Sequence, residues 1–331
     1  IGRRQRQMCI RDRNNIDALR FMGILAFKSG NHDIAEAMLT KALKLDPTYS
    51  LVWANLAQVF SVTGQLDKAK KSFKNILNME PKNGLIWAEY GTVLTKLANY
   101  EEGRDAYLKA LEFKPDSPRV HLSLGHVYKT MGEIDNSIDS YKNTILQNNL
   151  SGEAYWSLAN LKTYSFSENE IKDMEDTLKG DMSDIERSQM HFALGKAYEV
   201  KKDFDKSFKN YYEGNKVKKG LIKYSSDDTT DNTKRILDFF NKENIQKLAK
   251  SSTGDRDPIF VLGMPRSGST LVDQIISSHS KVDGTQELPN IIKIAAELNT
   301  NNQNNYPEVL KELDESKLSN LGKDYISETA W

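Results

Sequence analysis

The feature that most limits what this chain can become is a period. From about residue 16 the residue classes recur every 34 positions. Pro47, Pro81 and Pro115 mark successive unit ends, and Asn149 takes the next such place. Trp53 and Trp87 share one position, with Leu19 and His121 as its other occupants. Gly23, Ala57, Gly91 and Gly125 share a small position where two helices must touch. A second small position holds Ala35, Ala69, Gly103 and Ser137, and four residues later Leu39, Phe73, Tyr107 and Tyr141 fill a large one. A helix pair of this length cannot bury its apolar face alone, so the units must stack on one another. A fifth unit begins at Tyr155, Leu158 and Ala159 and loses its pattern between Tyr164 and Asn169. A further one shows at His191, Leu194, Gly195, Tyr198, Ser207 and Tyr211, and between the two Glu168 to Leu178 reads as an irregular helix.

This order of large, small and proline positions resembles the tetratricopeptide repeat. The resemblance implies an α solenoid over residues 14–221. Two roles fit such an array: a concave face that takes a peptide or protein, or a spacer that brings catalytic parts together in a homodimer. Trp53, Phe60, Phe73, Trp87 and Tyr90 fall on the packing positions and read as core, not as a cofactor box. His121 and His191 sit at the large position and read the same way. His32 and His126 have no partner at metal-ligand spacing, so no metal site is expected.

Charge excludes one class of partner. The 331 residues carry 46 basic and 46 acidic side chains, which gives no electrostatic footprint for nucleic acid. No apolar run approaches the ~18 residues of a membrane helix. Cys9 is the lone cysteine, so an internal disulfide or cysteine zinc site is ruled out. Residues 1–13, IGRRQRQMCIRDR, are basic and lack the apolar core of a signal peptide; they read as a disordered or non-native extension. A cytoplasmic protein is the expectation.

Beyond the array, residues 222–254 read as a helical junction: a polar loop from Ser225 to Thr233, then an amphipathic helix or helix pair to Lys250. Ser251 to Asp255 form a linker. The chemistry begins at Asp257, with DPIFVLGMPRSGSTL. Ile259 to Leu262 is a continuous apolar run, the pattern of a strand buried on both faces. Gly263 and Pro265 break it, Gly268 sits where the backbone must approach something closely, and Thr270, Leu271, Val272, Ile275 and Ile276 recur at helical spacing. Strand, glycine loop and helix in that order aim backbone N–H groups and a helix dipole at one anion.

The spacing of Gly263, Gly268 and Thr270 is near that of nucleotide phosphate loops, but Ser269 stands where those place lysine, and the cation is Arg266 inside the loop. That argues against a kinase or nucleotidase. Pro265-Arg266-Ser267-Gly268-Ser269-Thr270 resembles the 5′-phosphosulfate loop of sulfotransferases, and Asp283-Gly284-Thr285-Gln286-Glu287-Leu288-Pro289 resembles that family's second loop, in the tyrosylprotein-type branch. The resemblance covers roughly residues 255 to 300. It implies a three-layer α/β P-loop-like domain over 255–331, of which two strands (Ile259–Leu262 and one near Lys281–Asp283) are visible. A parallel sheet usually has about five or six strands, so the segment reads as the opening part of that domain. The resemblance further implies 3′-phosphoadenosine 5′-phosphosulfate (PAPS) as sulfonyl donor, held by Arg266, Ser267, Gly268, Ser269 and Thr270, without a metal. Glu287, 21 residues after Arg266, is the expected general base, and Arg266 the cation that neutralises charge on the bridging oxygen. A scaffold whose catalytic part is inactive or lost is the alternative.

Overall fold

The computed structural model describes residues 15–249, 258–264, 266–285, 288–299 and 306–329. The chain divides into two compact units between Lys223 and Tyr224. In the first, helical hairpins follow one another: α1 (Ile16–Lys28) with α2 (His32–Leu45), α3 (Ser50–Val62) with α4 (Leu66–Met79), α5 (Gly84–Lys96) with α6 (Tyr100–Phe113), and α7 (Pro118–Met131) with α8 (Ile134–Gln147). Each helix packs first on its hairpin partner and then on the next hairpin. The solenoid expected from the 34-residue period is present.

The packing explains the period. Small residues on the first helix of a hairpin receive a large ring from the second. A Cβ on Gly125 would lie 2.5 Å from Cε1 of Tyr141, and one on Gly91 would lie 2.9 Å from Cδ1 of Tyr107. Tyr141 is fully buried, so its ring has nowhere to retreat. The Ser137 hydroxyl donates to the Gly125 carbonyl at 2.9 Å, which satisfies both groups within the core. The large position at the start of each unit ties it to the proline turn before it. Trp53 Nε1 donates to the Pro47 carbonyl and Trp87 Nε1 to the Pro81 carbonyl, each at 2.8 Å. His121 makes the corresponding bond to Pro115; burial nonetheless lowers its pKa. It belongs to the packing, as expected.

A second regularity escaped the pattern of side chains. The turn inside each hairpin has one left-handed residue, at Gly30, Gly64, Ala98 and Gly132 (φ 79, 76, 59 and 81°), and again at Lys202 (φ 62°). The next amide then bonds back across the turn, as in Asn31 to Ala26, Gln65 to Phe60, Asn99 to Leu94 and Glu133 to Tyr128, all at 2.9 Å.

The fifth unit departs from the pattern. Its first helix, α9 (Gly152–Ala159), has eight residues. It packs on α11 (Asp184–Val200) instead of on α10 (Glu168–Thr177). The approach is close enough that a Cβ on Gly152 would collide with the Glu186 backbone, and the Glu186 carboxylate accepts from the Gly152 N–H. The stretch expected as an irregular helix is regular. Ser167 and Glu170 cap α10 reciprocally, with the Ser167 N–H donating to Glu170 at 2.8 Å. The irregularity lies before it, between Ala159 and Ser167. The period then returns in α11 and α12 (Phe204–Leu221). Gly195 faces Tyr211, and Ser207 donates to the Gly195 carbonyl at 2.8 Å, repeating Gly125, Tyr141 and Ser137 seventy residues on.

The second unit holds α13 (Ser226–Phe239), α14 (Lys242–Leu248), α15 (Ser269–Ser277), α16 (Asn290–Leu298), a 3-10 turn at Glu308–Lys311, and α17 (Glu315–Thr329). The polar stretch expected as a loop, Ser225 to Thr233, is the start of a helix. Ser225 caps it by accepting from the Asp228 N–H at 3.1 Å. Thr229, Thr230 and Thr233 turn their hydroxyls onto carbonyls four residues back, so their polarity is spent on the helix itself. Arg235 anchors this helix to the 3-10 turn, donating to Glu308 at 2.7 Å and to the Tyr306 carbonyl at 2.6 Å.

The two expected strands are absent among the described residues, and with them the α/β layers. Ile259 to Leu262 and Lys281 to Asp283 have no ladder partner. A strand needs a neighbour for its amides and cover for both faces; here Ile259 is 62% and Leu262 is 89% exposed. Among the described residues no helix is long and apolar enough to cross a membrane.

Two substitutions test the hairpin logic. Gly125→Ala should destabilise the array by about 1–3 kcal/mol, because the buried Tyr141 ring cannot yield. Ala98→Gly should instead stabilise it by up to about 1 kcal/mol by relieving a left-handed alanine. Denaturant midpoints of the two variants should move in opposite directions.

Candidate functional site

The loop after the apolar run turns sharply at two places. Arg266 and Gly268 both adopt left-handed conformations (φ 62 and 92°), and the Ser267 N–H closes the turn by donating to the Met264 carbonyl at 3.0 Å. Gly263 is required by proximity, since a Cβ there would collide with the Ser267 hydroxyl. Gly268 is required by conformation. Open space lies where its side chain would be, and it is the N-cap of α15. The first amide bonded back into the loop is Val272, to the Gly268 carbonyl at 3.1 Å. The amides of Ser269, Thr270 and Leu271 therefore stand at the positive end of the helix with no carbonyl partner among the described residues.

Ser269 and Thr270 open onto a cleft of about 1020 Å³ within this unit. Its other wall carries Asp283, Gly284, Thr285 and Leu288, so the two loops singled out in the sequence face one space. Gly284 allows this by running close along α15, where a Cβ would lie 2.8 Å from Ser277 Cβ. Arg266, Ser267 and Gly268 are exposed beside the cleft and do not line it. Pro265, Gln286 and Glu287 lie outside the described residues. Among the lining residues that escaped sequence reasoning are Tyr325, Ile326 and Thr329 of α17. Phe260 stacks on Tyr325 with centroids 6.2 Å apart. The signal for that contact is only the apolar spacing along α17, which names no partner.

In the array, His126 Nδ1 lies 2.8 Å from the Tyr141 hydroxyl, and its Nε2 lies 3.4 Å from Glu153. The hydrogen bond to His126 holds the Glu153 carboxyl below its ordinary pKa. Among the described residues no group of three or more His, Cys, Asp or Glu side chains is placed to hold a metal ion.

A helical repeat array joined to a glycine loop at the head of a helix defines a class before any comparison. Comparison with known proteins agrees with that description. Residues 26–88 match the Tetratricopeptide repeat and residues 91–132 the TPR repeat, while residues 258–327 match the Sulfotransferase family. The chain is thus similar to tetratricopeptide repeats over residues 26–88 and 91–132 and to the sulfotransferase family over residues 258–327. It is 34% identical over 150 residues to an uncharacterized protein of Aquifex aeolicus (strain VF5), a match over 44% of this chain and 20% of that protein. The chain thus spans about a fifth of the curated relative's length. Among solved structures, MamA is similar at 20% identity and TM-score 0.42, over 61% of this chain and 98% of its own. Pseudomonas aeruginosa PilF is similar at 22% and 0.47, over 59% and 88%. YrrB, a tetratricopeptide protein with a peptide-binding site, is similar at 17% and 0.43, over 61% and 94%.

The loop geometry gives a direct test. Gly268→Ala should destabilise the turn by about 1–2 kcal/mol, the cost of a left-handed L-residue. Amide exchange at Val272 should accelerate. Gly322→Ala, in a helix with open space around it, should leave that exchange unchanged.

Proposed function

We propose that this protein is a PAPS-dependent sulfotransferase whose repeat array selects a protein or peptide acceptor. The observation that carries the catalytic half is the head of α15, where a doubly left-handed loop leaves the amides of Ser269, Thr270 and Leu271 free to meet an anion. With the Ser267 amide tied to Met264, these three are the ones that fit the donor's 5′-phosphate, helped by the hydroxyls of Ser269 and Thr270. The bare Gly268 leaves room for the phosphate oxygens. Bound PAPS supplies a sulfonyl group for in-line transfer to an acceptor hydroxyl. Arg266 neutralises the negative charge that grows on the bridging oxygen as the sulfur–oxygen bond breaks. Glu287 takes the acceptor's proton as the new bond forms. The second loop departs from the tyrosylprotein-type branch at Gln286, Leu288 and Pro289, so a tyrosyl side chain is one acceptor hydroxyl among those it allows.

In the full-length protein Arg266→Ala should lower turnover by about 10²–10³, the usual cost of one charge-stabilising group, with Arg266→Lys recovering part of it. Glu287→Gln should leave PAPS affinity near normal and cut turnover by about a hundredfold or more. Retained turnover in both variants would remove the catalytic roles.

The acceptor half rests on a row of exposed side chains spaced by the period: Leu51, Leu85, Arg119 and Glu153. Leu51 and Leu85 are more than half exposed, one period apart. Replacing both with glutamate should raise the KM for a protein acceptor at least tenfold while leaving that for a free tyrosine analogue unchanged. An unchanged protein KM removes the array from acceptor selection.

A further inference from the structure

Two contacts hold the second loop against the helix that follows the first. The nine residues of α15 span about 13 Å, with Ser269 and Thr270 at its head. Ser269, Asp273 and Ser277 recur at four-residue spacing, share one face, and all line the cleft. The chain then turns back on itself over His279 to Val282. The His279 carbonyl accepts from the Val282 N–H at 2.9 Å, and the His279 ring accepts from the Lys281 N–H at its Nδ1, at 3.2 Å. Gly284 comes out of this turn beside α15. A Cβ there would lie 2.8 Å from Ser277 Cβ and 3.1 Å from its Oγ, with Asp273 Oδ2 3.7 Å away.

The His279 ring takes a part that shorter side chains take elsewhere in this chain. Asp46 Oδ1 accepts from the Thr48 N–H at 2.9 Å, and Asn148 Oδ1 accepts from the Leu150 N–H at 3.2 Å. In all three turns a side-chain acceptor holds the amide two residues on. The first two turns set one helix of the array against the next. The turn at His279 sets a loop, and little else fixes that loop. Among the described residues, Asp283, Gly284 and Thr285 make no hydrogen bond, and all three are exposed. Their register along α15 therefore comes from the turn before them and from the missing side chain of Gly284.

We infer that His279 and Gly284 are positioning residues, which set the second loop against α15 and so set the expected base, Glu287, against the head of that helix. Glu287 is three residues beyond Gly284, a reach of about 10 Å, so the place of Gly284 bounds where that carboxylate acts. His279 lies outside the lining of the cleft and acts through the loop. How the loop is held is a property of these contacts alone; its catalytic consequence rests on the sulfonyl transfer proposed above. Misplacing a reacting group by about 1 Å costs about a hundredfold in rate.

The test compares removal with repair in the full-length protein. His279→Phe keeps a ring and removes the acceptor, whereas His279→Asn supplies the acceptor that Asn148 uses. Gly284→Ala introduces the clash, and Ser277→Gly added to it removes the atoms that are struck. His279→Phe and Gly284→Ala should each speed amide exchange at Lys281 and Val282 and lower kcat, both by about tenfold or more, with PAPS affinity within about twofold of normal. His279→Asn, and Gly284→Ala combined with Ser277→Gly, should bring both readouts back to within about threefold of the unaltered protein. Exchange that does not respond overturns the inference. So does an active protein in which exchange responds and kcat does not, or a loss that neither repair recovers, which marks general damage to the fold. An unaltered protein that transfers no sulfonyl group counts instead against the proposed reaction, and the exchange data then still decide how the second loop is held.

Discussion

A tyrosine ring laid against a glycine sets the closest approach in three hairpins of this protein, at Gly91 with Tyr107, Gly125 with Tyr141, and Gly195 with Tyr211. The distance leaves no room for a methyl group, so the two helices cannot slide without losing the ring's cavity. Other contacts of these hairpins are in phase with it: Trp87 reaches the Pro81 carbonyl in the first, and Ser137 and Ser207 find their acceptors on Gly125 and Gly195 in the other two. The irregular fifth unit lacks this pairing, and its short α9 turns to α11 instead. The ring–glycine contact then resumes in the correct phase.

Much of the array was legible because its determinants are local and repeated. Large and small positions 34 residues apart name the contacts directly, and Tyr211 with Gly195 extends them past a gap. The turn was harder to see, since Ala98 and Lys202 occupy a left-handed position that glycine marks elsewhere. Three glycines at one phase were the available signal. The run Ser225 to Thr233 misled because serine and threonine favour loops in isolation; their hydroxyls can also be satisfied within a helix, and here they are.

The second unit shows where local pattern stops being informative. Ile259 to Leu262 has the composition of a buried strand, yet a strand is made by its neighbours, and no neighbour pairs with it among the described residues. The helix after the loop is different. Its apolar spacing and the left-handed Gly268 act over a few residues, and the amides of Ser269, Thr270 and Leu271 are left without a carbonyl partner among the described residues. Thus the loop and the head of α15 follow from sequence, whereas the wall supplied by Tyr325 and Ile326 depends on distant packing. Glu287 lies outside the described residues and is carried by the second loop, whose neighbours Asp283 to Thr285 share the cleft with Ser269 and Thr270.

Stacking by nearest neighbours also has a meaning during synthesis. Each hairpin covers the one before it and leaves one fresh face for the next, so a chain emerging from the ribosome carries a nearly constant patch of open apolar surface. The patch moves along the chain and does not grow. Chaperone demand per molecule should then be independent of how many units have been made. The eight-residue α9 is the exception, because it is completed by α11. A growing chain must hold that one face open while α10 and the first turns of α11 are translated, making this the longest pause between cover and release in the array.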